Sequence, residues 1–246
     1  RTIEKLAFNR AKYVFVASKF LLSFIKDKYP SLHLKAFQMA RGANFKDIPD
    51  RAVVSDAIVN RLRNKTLQLI FIISCDWKNG RKGGPLVVET FKILSKKIAV
   101  QLTIVGNLPD DVSTPLKELG IVHIPLINKG SLNGEKNYID LLFKSHLLFI
   151  PSSADGFGIV YTEASICGLP SIAKRVMGVP DAVIEGVTGH LLDDDAIAND
   201  FAELILRVWS NEREYERLCY HAYQFGIENF IWKNNIRKIL EFAVSS

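Results

Sequence analysis

From residue 68 onward the chain alternates short apolar runs with segments of helical spacing, and this alternation restricts the fold more than any other feature. Strands are expected at 68–73, 101–105, 121–124, 147–150, 171–173 and 189–192. Helices are expected between them at 85–95, 114–119, 135–144 and 159–167. The run Leu147-Leu148-Phe149-Ile150 has no polar alternation, the mark of a strand covered on both faces in a parallel sheet. Repeated βα units of this length, joined by right-handed crossovers, predict an α/β fold built on a doubly wound parallel sheet. In such sheets ligands bind at the carboxyl ends of the strands. The loops that follow the strands are therefore where chemistry is expected.

The flanks read differently. Residues 1–12 read as helix, 13–17 as a buried strand and 19–29 as an amphipathic helix closed by Pro30; the tail reads as helices at 196–210, 212–228 and 232–244. With 246 residues, 48% of them hydrophobic, the chain can bury a sizeable core without disulfides or metals. Cys75, Cys167 and Cys219 are odd in number and far apart, which argues against a disulfide framework or zinc site and for a reducing compartment. The net charge of +6 suits anionic ligands or an anionic membrane surface, but it is scattered, with no basic run of the kind that grips nucleic acid. No apolar run approaches the roughly 20 residues of a spanning helix, and no signal peptide is visible. The chain opens on Arg1, so a piece of a longer protein is expected.

The densest stretch follows the fourth strand. Ser152 to Gly158 are small, polar or glycine apart from Phe157, and helical spacing resumes at Ile159. A helix N-terminus then lies directly after a strand end, where N–H groups lack partners and the dipole is positive, a setting for an anion. Asp155 sits in the turn and Glu163 in the helix. Glu163 is placed to accept from the two vicinal hydroxyls of a ribose while the amides of Phe157, Gly158 and Ile159 meet a phosphate or a sugar. On spacing alone the commoner reading is a solvated Glu163 and an Asp155 that caps the helix. After the first strand, Arg81 and Lys82 precede a helix begun by Pro85, either a phosphate-facing pair or a solvated basic loop. Gly106 ends the second strand, as a plain turn or as a place where a ligand approaches backbone. His123 and His146 read as packed histidines, and no two His or Cys have metal-ligand spacing. Asp193-Asp194-Asp195 reads as a cap for a helix at 196.

The string from Asp155 to Ala173, DGFGIVYTEASICGLPSIA, resembles the signature of retaining glycosyltransferases of the group 1 type, family four. In that family an E-x7-E motif sits within P-S-x-x-E-G-F-G-x-x-x-x-E-A-x-A-x-G-x-P-V-I-A. Pro151, Ser152, Gly156, Phe157, Gly158, Glu163, Ala164, Gly168, Pro170, Ile172 and Ala173 fall in register, with Asp155 in place of the first glutamate. A second departure is Met177-Gly178-Val179-Pro180-Asp181, where the family usually has G-G-x-P-E. Asp76-Trp77 ahead of Lys82-Gly83-Gly84 resembles its phosphate-binding segment, and Val105-Gly106-Asn107 its i-v-G turn. Arg41-Gly42-Ala43-Asn44 resembles its interdomain turn, with Gly42 as hinge, and Phe230-Ile231-Trp232 the start of a final helix that crosses back onto the first domain.

The resemblance implies the Rossmann-like C-terminal domain of a GT-B glycosyltransferase with a short remnant of the N-terminal domain. Residues 1–45 would end the acceptor-side domain and form the linker, 46–228 would bind the nucleotide sugar, and 229–246 would be the returning helix. The implied reaction moves a sugar from a nucleotide-diphosphate donor to an acceptor hydroxyl with retention, with no cofactor and no divalent metal. Its catalytic residues would be Lys82 on the diphosphate, with Arg81 as helper, Glu163 on the ribose and Asp155 near the reacting centre. Gly83, Gly106, Gly156, Phe157, Gly158, Ile159 and Val160 would complete the donor site, with residues 124–129 beside the base. The expected partners are a nucleotide sugar, an acceptor glycan or lipid-linked saccharide and the missing N-terminal domain. The expected setting is cytoplasmic, with peripheral contact at the inner face of a membrane admitted. Rival readings are an epimerase or hydrolase of the same fold and a non-enzymatic nucleotide-sugar-binding module. A dinucleotide-binding dehydrogenase would want a G-x-G-x-x-G turn after the first strand, which Cys75 to Gly84 lacks.

Overall fold

The structure, a computed structural model, describes residues 2–73, 77 and 80–245. It opens with α1 (Thr2–Arg10), β1 (Val14–Val16), α2 (Lys19–Lys28) and β2 (Ala36–Gln38). β1 and β2 pair in parallel as a small sheet of their own, under a separate core of Ile25, Leu32 and Ala36. Ser18 starts α2 by accepting the Leu21 N–H at 3.2 Å, which satisfies one of the orphan donors of the first turn.

The larger unit runs α3 (Arg51–Arg63), β3 (Leu67–Ile73), α4 (Gly84–Ser95), β4 (Val100–Gly106), α5 (Asp110–Glu118), β5 (Val122–Ile124), α6 (Gly134–Lys144), β6 (Leu147–Ile150), α7 (Ile159–Ile166), β7 (Ser171–Lys174), β8 (Gly189–Leu192), α8 (Ala198–Ser210), α9 (Glu212–Asn229) and α10 (Trp232–Ser245). Its six strands are parallel and ordered β5-β4-β3-β6-β7-β8. Right-handed crossovers that run one way from β3 through β5 and the other way from β5 through β7 put α4 and α5 on one face of the sheet and α6 and α7 on the other. The packing agrees, with α4 against α8, α3 against α6, and α7 against α9. All four residues of β6 are buried, as its unbroken apolar run requires. The chain reverses direction between β3 and β6, and a crevice opens outside their carboxyl ends.

The expected α/β, doubly wound, Rossmann-like fold is the one observed, with three local differences. Helix α3 and strand β2 add to the expected elements. Helix α5 begins at Asp110, a turn before 114, and carries Pro115 inside it. Helix α8 starts at Ala198, so Asp193, Asp194 and Asp195 do not cap it; Asp200 reaches back to the Ile197 N–H at 2.8 Å. The final helix does return to the linker: Asn235 donates to the Ala40 carbonyl at 2.8 Å and Trp232 Nε1 to Asn44 Oδ1 at 3.2 Å. Its Ile236 and Leu240 stay exposed. Cys167 and Cys219 are buried and free, whereas Cys75 lies outside the described residues.

Candidate active site

A cleft of about 510 Å³ lies at the reversal point of the sheet. Most of its wall residues come from strand ends of the larger sheet and the segments that follow them. Ile72 and Lys82 come from β3 and its loop, Val105 from β4, Leu126, Ile127 and Lys129 from beyond β5, and Asp155 to Val160 with Glu163 from beyond β6. Ala17, Leu21, Arg41 and Asn44 close it from the side of the small unit and its linker.

Two ion pairs organise the polar part. Lys82 Nζ pairs with Asp155 Oδ2, while Asp155 Oδ1 accepts the Phe157 N–H at 3.1 Å. Asp155 therefore both shapes the turn and holds the lysine. At the other end Lys129 Nζ pairs with Glu163 Oε1, and the Tyr138 hydroxyl donates to Glu163 Oε2 at 2.8 Å. The Asn44 N–H reaches Oε1 at 3.4 Å. Burial, and then the charge of Glu163, hold the Tyr138 phenol well above its ordinary pKa, so it stays a donor.

Between the pairs stands the N-terminus of α7. Gly158 precedes it with φ 81°, and a Cβ there would lie 2.5 Å from the Tyr161 ring, so only glycine fits. The Tyr161 hydroxyl donates to the Ile150 carbonyl at 3.0 Å, fixing the first turn of α7 to the end of β6. No side chain among the described residues caps this helix. Gly158, Ile159 and Val160, at its start, line the cleft together with Lys82.

Lys82, Asp155, Gly156, Phe157, Gly158, Ile159, Val160 and Glu163 all come together here. Arg81, Gly83 and Gly106 do not line the cleft. Arg81 is exposed, and its carbonyl accepts the Ser153 N–H at 2.9 Å, which seats the loop on the neighbouring strand end. Both glycines are packed against protein backbone: a Cβ would lie 2.4 Å from the Pro151 oxygen at Gly83 and 2.1 Å from the Ile73 oxygen at Gly106. Trp77 packs edge-on to Phe71 at 6.1 Å. Asp76, like Ser74, Lys78 and Asn79, lies outside the described residues. A solvated Glu163 is excluded, since the residue is 3% exposed. His123 is a packed histidine, its Nε2 2.8 Å from the Gly106 oxygen. Among the described residues no cluster of three His, Cys, Asp or Glu is placed to hold a metal. The sequence placed Lys129 only in the segment 124–129 beside the base, not on Glu163, and gave no sign of Tyr138, whose linear signal is an aromatic after β5.

Residues 60–225, more than half the chain, match the family model described as glycosyl transferases group 1. An uncharacterised glycosyltransferase of Methanocaldococcus jannaschii is 30% identical over 139 residues, covering 55% of this chain and 38% of that protein. A GDP-mannose-dependent alpha-(1-6)-phosphatidylinositol monomannoside mannosyltransferase of Mycolicibacterium smegmatis is 31% identical over 172 residues, covering 65% and 44%. The chain thus spans less than half the length of either relative. Among solved structures, Anabaena HepE in complex with UDP and glucose superposes with a TM-score of 0.68 at 17% identity, covering 98% of this chain and 65% of that one. That likeness concerns the fold.

Proposed function

The chain belongs to the glycosyl transferases group 1 family, and from that premise we propose that it supplies the donor-binding half of an enzyme that transfers a sugar from a nucleotide diphosphate to an acceptor hydroxyl with retention. The observation that carries this reading is that Lys82, from the loop after β3, and Glu163, from helix α7 after the adjacent β6, enter one cleft together with the residues that begin α7. The diphosphate would lie against Lys82 and the first amides of α7, and the ribose against Glu163. Leu126 and Ile127 border the side left for the base. HepE was solved with UDP and the mycobacterial relative is named for GDP-mannose; both are nucleotides that such a cleft would take.

In the proposed reaction the bond between the anomeric carbon and the diphosphate oxygen breaks, and the acceptor oxygen bonds to that carbon on the same face. The acceptor proton passes to a donor phosphate oxygen. Negative charge grows on the leaving diphosphate, where a fixed ammonium and a helix N-terminus stabilise it most. Asp155 pairs with Lys82 and would border the space for the donor sugar. With side-chain cations in this role, we propose that no divalent metal or other cofactor is used. We also propose the division 1–45, 46–228 and 229–246, with acceptor glycan or lipid-linked saccharide bound mainly by a further domain. No helix among the described residues is long and apolar enough to cross a membrane. A cytoplasmic site, with peripheral contact at the inner membrane face, belongs to the same proposal.

Calorimetric titration with UDP, GDP and ADP tests the binding step. Charge-assisted hydrogen bonds of about 1.5–3 kcal/mol mean that Lys82→Ala and Glu163→Gln should each weaken the best nucleotide by roughly 10- to 100-fold. Unchanged affinity in either variant removes that residue from the site. NMR of the product anomeric proton reports retention, and donor binding with no turnover in the presence of acceptors would favour a binding module.

A further inference from the structure

We infer that Lys129, backed by Tyr138, is a positioning residue that pairs with the Glu163 carboxylate and keeps it aimed into the cleft, where it receives the ribose. This rests on the donor-binding reading above and goes on to say what makes Glu163 work. Glu163 has 4% of its side chain exposed and Lys129 28%. The carboxylate is thus sunk in the wall beside a more exposed ammonium, and both residues line the cleft. A carboxylate so buried is costly unless paired and hydrogen-bonded. Tyr138 supplies the hydrogen bond, at 2.8 Å to Oε2, and Lys129 the countercharge on Oε1.

The ammonium is itself held in place. It lies 4.8 Å from the Tyr138 ring centroid and 5.7 Å from that of Phe45, within reach of both aromatic faces. Ribose hydroxyls are neutral and offer no substitute charge, so Lys129 remains on Glu163 while the diol docks. A carboxylate offers about four acceptor positions. Tyr138 and Lys129 fill one on each oxygen, and the Asn44 N–H holds another weakly, at 3.4 Å. The two hydroxyls fit the open position on Oε2 and the Asn44 position on Oε1. The ligand class is a ribonucleoside diphosphate whose diol meets an already paired carboxylate.

The test measures dissociation constants for UDP, GDP and ADP with the unmodified protein, Lys129→Met, Lys129→Arg and Tyr138→Phe, each also in a Glu163→Gln background. Losing the countercharge should weaken the best nucleotide about tenfold or more in Lys129→Met, and losing the hydroxyl about threefold in Tyr138→Phe. Lys129→Arg should restore binding to within about threefold. In the Glu163→Gln background both losses should shrink to less than about twofold. Wild-type affinity in Lys129→Met, or a loss that persists undiminished without the Glu163 charge, overturns the inference while leaving the donor site standing. Failure of the unmodified protein to bind any of the three nucleotides overturns both. Circular dichroism melts accompany every variant; if Lys129→Met does not fold, Lys129→Gln and Tyr138→Phe decide the matter by the same criteria.

Discussion

Met177 occupies the position at which the resembling family usually carries glycine, and its φ of 44° is in the left-handed region. Its loop supports the site from behind. The Gly178 N–H donates to the Asp155 carbonyl at 3.0 Å, and a Cβ on Gly178 would lie 1.9 Å from the Gly156 oxygen. Asp181 accepts the Lys19 N–H at 2.8 Å and ties the same loop to α2. A side chain in the left-handed region costs about 1–2 kcal/mol, and a glycine there gives back about 0.5–1 kcal/mol through its freer unfolded chain. Met177→Gly should therefore raise unfolding stability by up to about 1 kcal/mol in a urea titration. A loss of stability would show that the exposed Met177 side chain does more than tolerate its backbone. The other departure is benign: Asp155 is one methylene shorter than glutamate and still reaches both Lys82 and the Phe157 N–H.

At the scale of elements, His146, in the short connection before β6, ties together four others. Its Nδ1 accepts the Gln68 N–H at 2.8 Å, and Nε2 lies 2.8 Å from the Arg61 carbonyl at the end of α3. Its own carbonyl accepts the Tyr215 hydroxyl of α9 at 3.0 Å, and its ring meets Trp209 of α8 edge-on at 4.7 Å. Burial lowers its pKa from 6.5 to about 4. The unfolded chain therefore binds a proton that the folded chain refuses between those values. Stability on the order of 3 kcal/mol from this group is complete above pH 6.5 and falls progressively as pH drops toward 4. Melting curves of wild type and His146→Asn across that range should converge at the acid end. Parallel curves would contradict this account.

Strands β3 and β6 were legible because residues 69–73 and 147–150 are unbroken apolar runs, the second of them buried throughout. Helix α3 was not, because its inward face is Val54, Ala57, Ile58 and then Arg61. A charged residue fills the fourth apolar slot, accommodated by the carbonyls of Ser145 at 3.2 Å and Gly168 at 2.6 Å. Periodicity cannot show such compensation. The same holds for the site. Glu163, Asp155 and Lys82 carry local signatures, whereas Lys129 and Tyr138 stand 34 and 25 residues before Glu163 and meet it only through the β5-to-β6 crossover. Gly83 and Gly106 could be read two ways, because backbone that approaches a ligand and backbone that approaches another strand both demand glycine.

As a whole the molecule is a small unit around β1 and β2 and a larger one around the six-stranded sheet, with the cleft bordered by both. The linker between them is pinned on two sides. Asn44 touches Glu163 through its N–H and Trp232 through its side chain, and a Cβ on Gly42 would lie 2.6 Å from Trp232. Ribose binding that takes over the Asn44 position on Glu163 would then bear on the linker and on α10 together. Ile3 and Leu6 on α1, Phe24 on α2 and Leu240 on α10 are exposed, faces that the proposed further domain would cover. All of this depends on one nucleotide spanning the cleft. A crystal structure of the protein with the best-binding of UDP, GDP and ADP tests that directly. It should show the diphosphate within about 3.5 Å of Lys82 Nζ and the first amides of α7, and both ribose hydroxyls on Glu163 beside Lys129. A nucleotide seated elsewhere, or one whose ribose turns away from Glu163, would contradict the account.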